Sequence, residues 1–150
     1  ALPDEHASGP TFIVQAAKGP ASGNLDRIQI VKVWREGGES FERIYDVSWS
    51  GDRLPDADGK LPAVGNTVDA ATATYENSIG AAELFGTWTD PDFDAGERAF
   101  YYARVIEIPT PRWATYLSVA SGIPLSEGTS PWLQERAWTS PVYYTPAAGE

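Results

Sequence analysis

The side chains with the greatest capacity for chemistry in this chain are the aspartates of two short acidic segments. Asp56 and Asp58 belong to the first segment, and Asp90, Asp92 and Asp94 belong to the second. Calcium binds through about six to eight oxygen ligands, and alternate acidic residues on a tight turn can supply several of them. Neither segment has Gly and Glu at EF-hand spacing. We therefore favour turns capped by Asp side chains, with weak calcium sites as the alternative.

A second candidate for chemistry is Arg112, which follows Pro109 and Pro111 at the predicted start of a helix. The backbone N–H groups at a helix N-terminus attract anions, and an Arg side chain at that position can hold one. Pairing of Arg112 with one of the many carboxylates is the favoured alternative. The elbow from Pro109 to Trp113 is the predicted place where this chain touches a partner.

Aromatic residues are abundant, with six Trp and seven Tyr, and their ring faces can stack on sugar rings. Trp113 and Trp132 lie in or beside predicted loops, so these two are expected to be exposed. Core packing is the favoured role of the others, and binding of a glycan or another small molecule is the alternative function. Four Trp residues have strand spacing and are predicted core residues: Trp34, Trp49, Trp88 and Trp138.

Several kinds of catalytic site are excluded by composition. The chain has a single histidine, His6, and no cysteine. A Ser-His-Asp triad is therefore disfavoured, and histidine-rich metal sites, thiol nucleophiles and cysteine-based zinc sites are excluded. The sequence contains no GxxxxGK[ST], GxGxxG or HExxH motif. We expect no catalytic residue and no cofactor in this chain.

The charge of the chain limits its partners. A formal net charge of −10 argues against contact with nucleic-acid phosphates and with anionic membrane surfaces, because both require clustered Lys and Arg. No stretch approaches the roughly 18 apolar residues that a membrane-spanning helix needs. We expect neither a nucleic-acid partner nor a membrane partner.

Period-two alternation of β-branched and aromatic residues is the main structural pattern, and it predicts strands. In the second strand Ile30 and Val31 point to opposite faces, so both faces carry apolar residues. This predicts a central strand that is covered on both sides. A hairpin is predicted at Gly37 and Gly38. Pro109 and Pro111 are expected to end the strand at residues 100–108, which has the strongest strand pattern of the chain. The predicted strands cover residues 12–16, 28–34, 41–49, 67–75, 81–89, 100–108 and 133–144, and one helix covers 112–121.

These elements predict an all-β fold: an immunoglobulin-like antiparallel β-sandwich of about seven strands, with one short helix and long loops. A flattened barrel is the alternative. A chain of 150 residues suggests one domain. We expect a linker at residues 1–10, a single sandwich domain at 11–146 and a tail at 147–150. Since Met is absent even from position 1, we expect a piece of a longer protein.

Two long segments have a specific pattern: FYYARVIEIPTPRW at residues 100–113 and QERAWTSPVY at residues 134–143. Both resemble the carboxy-terminal part of a bacterial family, the domain of unknown function 3604. Three shorter segments are similar to the same pattern: NLDRIQIVK at 24–32, WSGDR at 49–53 and VGNTVD at 64–69. The resemblance extends over roughly residues 10 to 146.

Members of that family are larger and often exported, and their amino-terminal portion is similar to the PHP class of metal-dependent phosphoesterases. The resemblance implies that this chain is a non-catalytic, carboxy-terminal accessory domain of a PHP-like hydrolase-related protein. Its implied partner is the amino-terminal domain of the parent chain, and the implied location is periplasmic or otherwise exported. Nothing in this sequence matches the metal ligands of the PHP class, so no catalytic residue carries over.

Overall fold

In a computed structural model, residues 9–146 are described, and they form seven β-strands and one α-helix. His6, most of the predicted linker at 1–10 and the tail at 147–150 lie outside the described residues. No helix of the described part is long and apolar enough to cross a membrane. The elements are β1 (Thr11–Ala17), β2 (Leu25–Glu36), β3 (Glu39–Trp49), β4 (Glu83–Thr89), β5 (Arg98–Pro111), α1 (Trp113–Ser121), β6 (Trp132–Trp138) and β7 (Val142–Tyr144).

Five strands form the large sheet, in which β2 lies between β3 and β5. Both pairings of β2 are antiparallel. Ile30 and Val31 are fully buried although they point to opposite faces, so the prediction that β2 is a central strand is confirmed. On its other edge, β5 pairs first with β7 and then, further along, with β6.

The small sheet consists of β1 and β4, which pair antiparallel and pack on one face of the large sheet. Phe12, Val14 and Ala16 alternate with exposed residues and face the core, as the sequence predicts. Ile28 and Ile30 of β2 meet them from the opposite side. The all-β sandwich of seven strands is confirmed, and its immunoglobulin-like character stays a prediction.

The hairpin between β2 and β3 is confirmed at Gly37 and Gly38. Their φ angles are 58° and 91°, in the left-handed region that glycine enters without steric cost. Both angles suit a two-residue turn whose twist matches the flanking strands. The hairpin brings the far half of β3 alongside β2, and this pairing places Asp46 opposite Gln29.

The predicted strand at residues 67–75 is wrong, because this segment folds into a turn with a single bridge between Asp69 and Thr74. The Asp69 carboxylate accepts a hydrogen bond from the Ala71 N–H at 2.9 Å. Ala73 has a positive φ of 52°, which a strand does not allow. Local capping by Asp69 therefore overrides the strand propensity of the Thr and Val residues.

Prolines act differently from the prediction at two places. β5 continues through Pro109 and Pro111 instead of ending before them, because its register with β6 shifts between Ile106 and Pro109. Such an irregularity tolerates residues that lack an N–H. The predicted last strand at 133–144 is two strands, since Pro141 lies in the break between β6 and β7.

Candidate functional site

Trp132 borders a cavity of about 660 Å³ on the outer face of the large sheet, the face that the small sheet does not cover. Gln29 lies on this outer face because its neighbours Ile28 and Ile30 belong to the core between the sheets. The cavity is lined by Asp26, Arg27, Gln29, Asp46, Lys60, Leu61, Ala63, Val64, Gly65, Asn66, Ile106, Pro109, Trp132 and Gln134.

One loop closes the cavity over the sheet. Leu61 is buried and anchors this loop, which contributes residues 60–66 to the lining. The Arg27 guanidinium donates hydrogen bonds to the carbonyls of Leu61 and Pro62 at 3.4 and 3.1 Å. Arg53 donates to the Pro62 carbonyl at 2.9 Å. Two cations thus hold the loop in place, so the wall opposite Trp132 is preformed.

The floor of the cavity contains Asp26, a carboxylate that is 2% exposed. Arg27 Nε lies 3.2 Å from its Oδ2, and Arg53 Nη2 lies 2.7 Å from its Oδ1. The Arg53 contact compensates charge without hydrogen-bond geometry, because Oδ1 has no hydrogen-bond partner among the described residues. Gln134 Nε2 donates to Oδ2 at 3.0 Å. A buried charge of this kind requires such compensation.

A second group of hydrogen bonds fixes the neighbouring side chains of β2, β3 and β5. Gln29 Nε2 donates to Asp46 Oδ1 at 2.7 Å. Arg104 donates twice to Gln29 Oε1, from Nε at 2.9 Å and from Nη2 at 2.6 Å. Because Gln29 uses both ends of its amide, its orientation is determined. The polar floor of the cavity is therefore rigid.

Three polar groups of the lining are still available to a ligand. Gln134 Oε1, the Asn66 side-chain N–H₂ group and Lys60 Nζ form no hydrogen bond within residues 9–146. They come from β6 and from the covering loop, and all three residues line the cavity together with Trp132. Trp132 is 39% exposed and confirms the predicted exposure of this side chain.

The second candidate surface is the helix patch, which we define by five exposed apolar residues of α1 and the segment that follows it. The helix is attached to the sheet through Thr115, its only buried residue, whose hydroxyl donates to the Pro131 carbonyl at 2.6 Å. Gly122 ends the helix with a φ of 70°. Trp113 is 71% exposed, as predicted. The helix patch comprises Trp113, Tyr116, Leu117, Val119 and Ile123.

Arg112 lies between the two candidate surfaces. Its backbone N–H donates to the Pro131 carbonyl at 3.0 Å, beside Trp132. The favoured ion pair is not found, since no described carboxylate lies within salt-bridge distance of its guanidinium. Its Nε is buried without a hydrogen-bond partner among the described residues. The side chain therefore has unused donor capacity at the elbow.

Two of the five candidate aspartates, Asp56 and Asp94, cap turns with their carboxylates. Asp56 Oδ1 accepts the N–H groups of Asp58 and Lys60 at 3.0 and 2.8 Å. Asp94 Oδ1 accepts the Gly96 N–H at 2.7 Å. The preferred interpretation, turns capped by Asp side chains, is confirmed at these positions. Within residues 9–146, no group of three or more His, Cys, Asp or Glu side chains is placed to hold a metal ion.

The remaining two candidates, Asp90 and Asp92, are engaged by side chains of the large sheet. Asp90 Oδ1 accepts the Asp92 N–H at 3.0 Å. Asp92 Oδ2 accepts hydrogen bonds from Arg43 and from the Tyr45 hydroxyl, both at 2.8 Å. Burial and this contact with Asp92 raise the pKa of Tyr45 above its ordinary value. Both aspartates therefore fix the turn between β4 and β5.

A buried ion pair that sequence analysis missed joins Lys32 of β2 to Asp90. Lys32 Nζ lies 2.6 Å from Asp90 Oδ2, and both side chains are almost fully buried. The Tyr101 hydroxyl donates to the same oxygen at 2.8 Å. Burial, and then the Asp90 carboxylate, raise the pKa of Tyr101. The sequence feature that could have revealed this ion pair is Lys32, because strand alternation places its cationic side chain on the same face as Ile30.

Four Trp residues are predicted to lie in the core. For Trp138 this prediction is wrong, because the side chain is 60% exposed. It lies opposite Arg104 on β5, and therefore on the outer face of the large sheet. Trp34 and Trp88 are half-buried and pack against the core cluster. Trp49 is half-buried, and its indole N–H donates to the Arg53 carbonyl at 2.7 Å.

The comparisons with known proteins give one match. A family model described as "Protein of unknown function (DUF3604)" matches residues 1–146. This match confirms the resemblance found in the sequence. Comparison with curated proteins and with solved structures gives no match.

Proposed function

This chain belongs to the DUF3604 family of proteins of unknown function, and from this membership we propose that it is a non-catalytic accessory domain of a larger protein. It packs against a PHP-like, metal-dependent hydrolase-related domain in the same exported parent chain. The observation that carries this proposal is the helix patch, because it exposes a cluster of large apolar side chains on a short helix.

The helix has little stability of its own. It spans nine residues, has no side-chain hydrogen bond at its N-cap, and has no acidic residue in its first turn and no basic residue in its last. Isolated helices shorter than about 12 residues are marginal in water, and most helices in proteins are stabilised by tertiary packing. Thr115 is the only residue of this helix that is fully buried within the described part of the chain. A partner surface that covers the helix patch would supply the rest.

The composition of the patch also suits an interface. Trp113 and Tyr116 are aromatic, and aromatic residues and Arg are enriched at the centres of protein interfaces. Arg112 adjoins them with unused donors. Large exposed apolar clusters on soluble domains commonly mark such contact sites. We therefore assign Arg112 and the helix patch to the contact with the parent's amino-terminal domain.

The non-catalytic part of the proposal rests on residue content. Metal-dependent phosphoesterases need several metal-ligating side chains that converge on one point. This chain has one histidine and no cysteine. Most of its aspartates in the two acidic segments cap turns or form ion pairs.

The interaction is tested with the domain that precedes this chain in its parent protein, produced separately. Sedimentation velocity should detect a complex between the two. Trp113→Ser and Leu117→Ser should each weaken that complex at least about tenfold, because truncation of a buried apolar anchor removes most of its contribution. Ile13→Ser is the matched control, since Ile13 is equally exposed but lies on the small sheet. Absence of a complex, or equal losses in all three variants, would contradict the proposal.

Catalysis is tested on the purified chain alone. We expect no hydrolysis of phosphomonoesters or phosphodiesters above a metal-containing buffer blank, with Mn²⁺, Zn²⁺ or Mg²⁺ added. Turnover that disappears when a single carboxylate of this chain is substituted would show a catalytic domain instead of an accessory one.

A further inference from the structure

The cavity beside Trp132 combines an apolar wall with a polar floor. Trp132, Leu61 and Pro109 supply apolar surface, while Asp26 and Gln29 lie at the floor with their side chains fixed by hydrogen bonds. Its volume of about 660 Å³ lies within the ordinary range for small-molecule sites. A few fixed polar groups among apolar and aromatic lining residues are typical of small-molecule sites, in which the polar groups orient the ligand.

The charges of the lining limit the class of ligand. Two carboxylates, Asp26 and Asp46, face two cations, Arg27 and Lys60, so the lining has no net charge. Both carboxylates are already held by arginines, which leaves no free anionic group for a metal cation. A neutral or weakly charged polar ligand therefore fits better than a multiply charged one.

The hydrogen-bonding groups of the lining that have no partner among the described residues narrow the class of ligand further. Gln134 Oε1 is an acceptor, whereas the Asn66 amide N–H₂ group and Lys60 Nζ are donors. They belong to β6 and to the covering loop and line the same cavity as Trp132. A pyranose ring has hydroxyl groups around its perimeter, each able to donate and accept, and apolar C–H groups on its faces. Its faces match Trp132, and its perimeter matches the surrounding polar groups.

We infer that this cavity is a saccharide-binding site, in which a sugar ring lies on Trp132 and its hydroxyl groups bond to Gln134, Asn66 and Lys60. This site is separate from the helix patch and does not depend on the docking function proposed above. Nucleosides, which also stack on aromatic side chains, are the competing class and form one arm of the test.

The test uses the purified chain and titrations followed by calorimetry and tryptophan fluorescence. The probes are neutral oligosaccharides built from glucose, xylose, mannose and galactose, oligosaccharides of uronic acids, and nucleosides. At least one saccharide should bind saturably, and nucleosides should not. Trp132→Ala should weaken that binding at least about tenfold, which corresponds to about 1.4 kcal/mol.

Trp138→Ala and Trp113→Ala are the matched controls. Trp138 is an exposed tryptophan on the same strand, and Trp113 is exposed on the helix, but neither lines the cavity. Both variants should bind the saccharide within about twofold of the unaltered chain. If Trp132→Ala alters folding, Asn66→Ala and Lys60→Met test the site from its exposed loop.

Three results would overturn the inference: no saccharide of the panel binds, nucleosides bind in preference, or the Trp138→Ala control loses affinity as strongly as Trp132→Ala. The two proposals fail separately. Trp113→Ser should disrupt docking and retain saccharide binding, whereas Trp132→Ala should do the reverse.

Discussion

Within residues 9–146 two aspartates are almost fully buried, and each carboxylate is neutralised by nearby cations. Asp26 is held between Arg27 and Arg53, and Asp90 pairs with Lys32. Removal of one partner from such a pair leaves an uncompensated charge in a region of low dielectric, which is far more costly than loss of the pair as a whole. These side chains therefore determine which turns and loops can pack on the large sheet.

Asp90→Ala should destabilise the protein by about 3–5 kcal/mol, because Lys32 then stays buried without a counter-charge. Chemical denaturation measures this change in the free energy of unfolding. The double variant Lys32→Met, Asp90→Ala should recover much of the loss, since no charge remains buried.

The matched control is Arg43→Ala, which breaks the exposed pair with Asp92, leaves the Tyr45–Asp92 hydrogen bond in place and should cost no more than about 1 kcal/mol. A loss below about 1 kcal/mol for Asp90→Ala would contradict the role assigned to the buried pair.

Strand β4 passes close to β3 at Gly86. Gly86 lies on the inner face of β4, and a Cβ at this position would lie 2.9 Å from Val47 Cγ1 and 3.3 Å from the Val47 carbonyl oxygen. The backbone of β3 cannot yield as a flexible side chain would. Because Gly86 has no side chain, the small sheet can pack closely on the large sheet at this point.

Gly86→Ala should destabilise the protein by about 1–3 kcal/mol, because the added methyl group forces the sheets apart. Thermal and chemical unfolding measure the loss. Thr87→Ala, at the next and exposed position of β4, is the control and should have a much smaller effect. An unchanged melting temperature for Gly86→Ala would show that the sheets are not in close contact at this point.

The two proposed binding surfaces lie near each other on the molecule. The small sheet covers the inner face of the large sheet, and the polar network of Asp26, Gln29 and Asp46 occupies part of the outer face. The helix patch lies beside this network, since Pro131 accepts hydrogen bonds from Arg112 and Thr115 immediately before Trp132. A partner that covers the helix patch would thus reach the rim of the cavity.

The negative charge of the chain is not shared by the two candidate binding surfaces. The formal net charge is −10, yet the lining of the cavity is balanced and the helix patch is apolar. Like charges over the rest of the surface oppose non-specific association. Neither of the two candidate binding surfaces therefore adds to this repulsion.

The fold class could be predicted because its determinants are local. Alternation at Phe12, Val14 and Ala16, the glycines of the hairpin and the αL glycine after α1 act over a few residues, and sequence displays them directly. Predictions failed where side-chain capping at Asp69 or a register shift at Pro109 outweighed strand propensity. Both outcomes depend on which hydrogen-bond partners the chain finds.

The amino-acid sequence by itself determined a β-sandwich with few means of catalysis and with Trp113 and Trp132 exposed. Only the tertiary structure decided that Trp132 joins Asp26 and Gln134 around one cavity, and that Lys32 pairs with Asp90. These groups come from strands and loops far apart in the chain. Their meeting depends on strand order and register, which arise from the packing of the whole core and not from any local pattern.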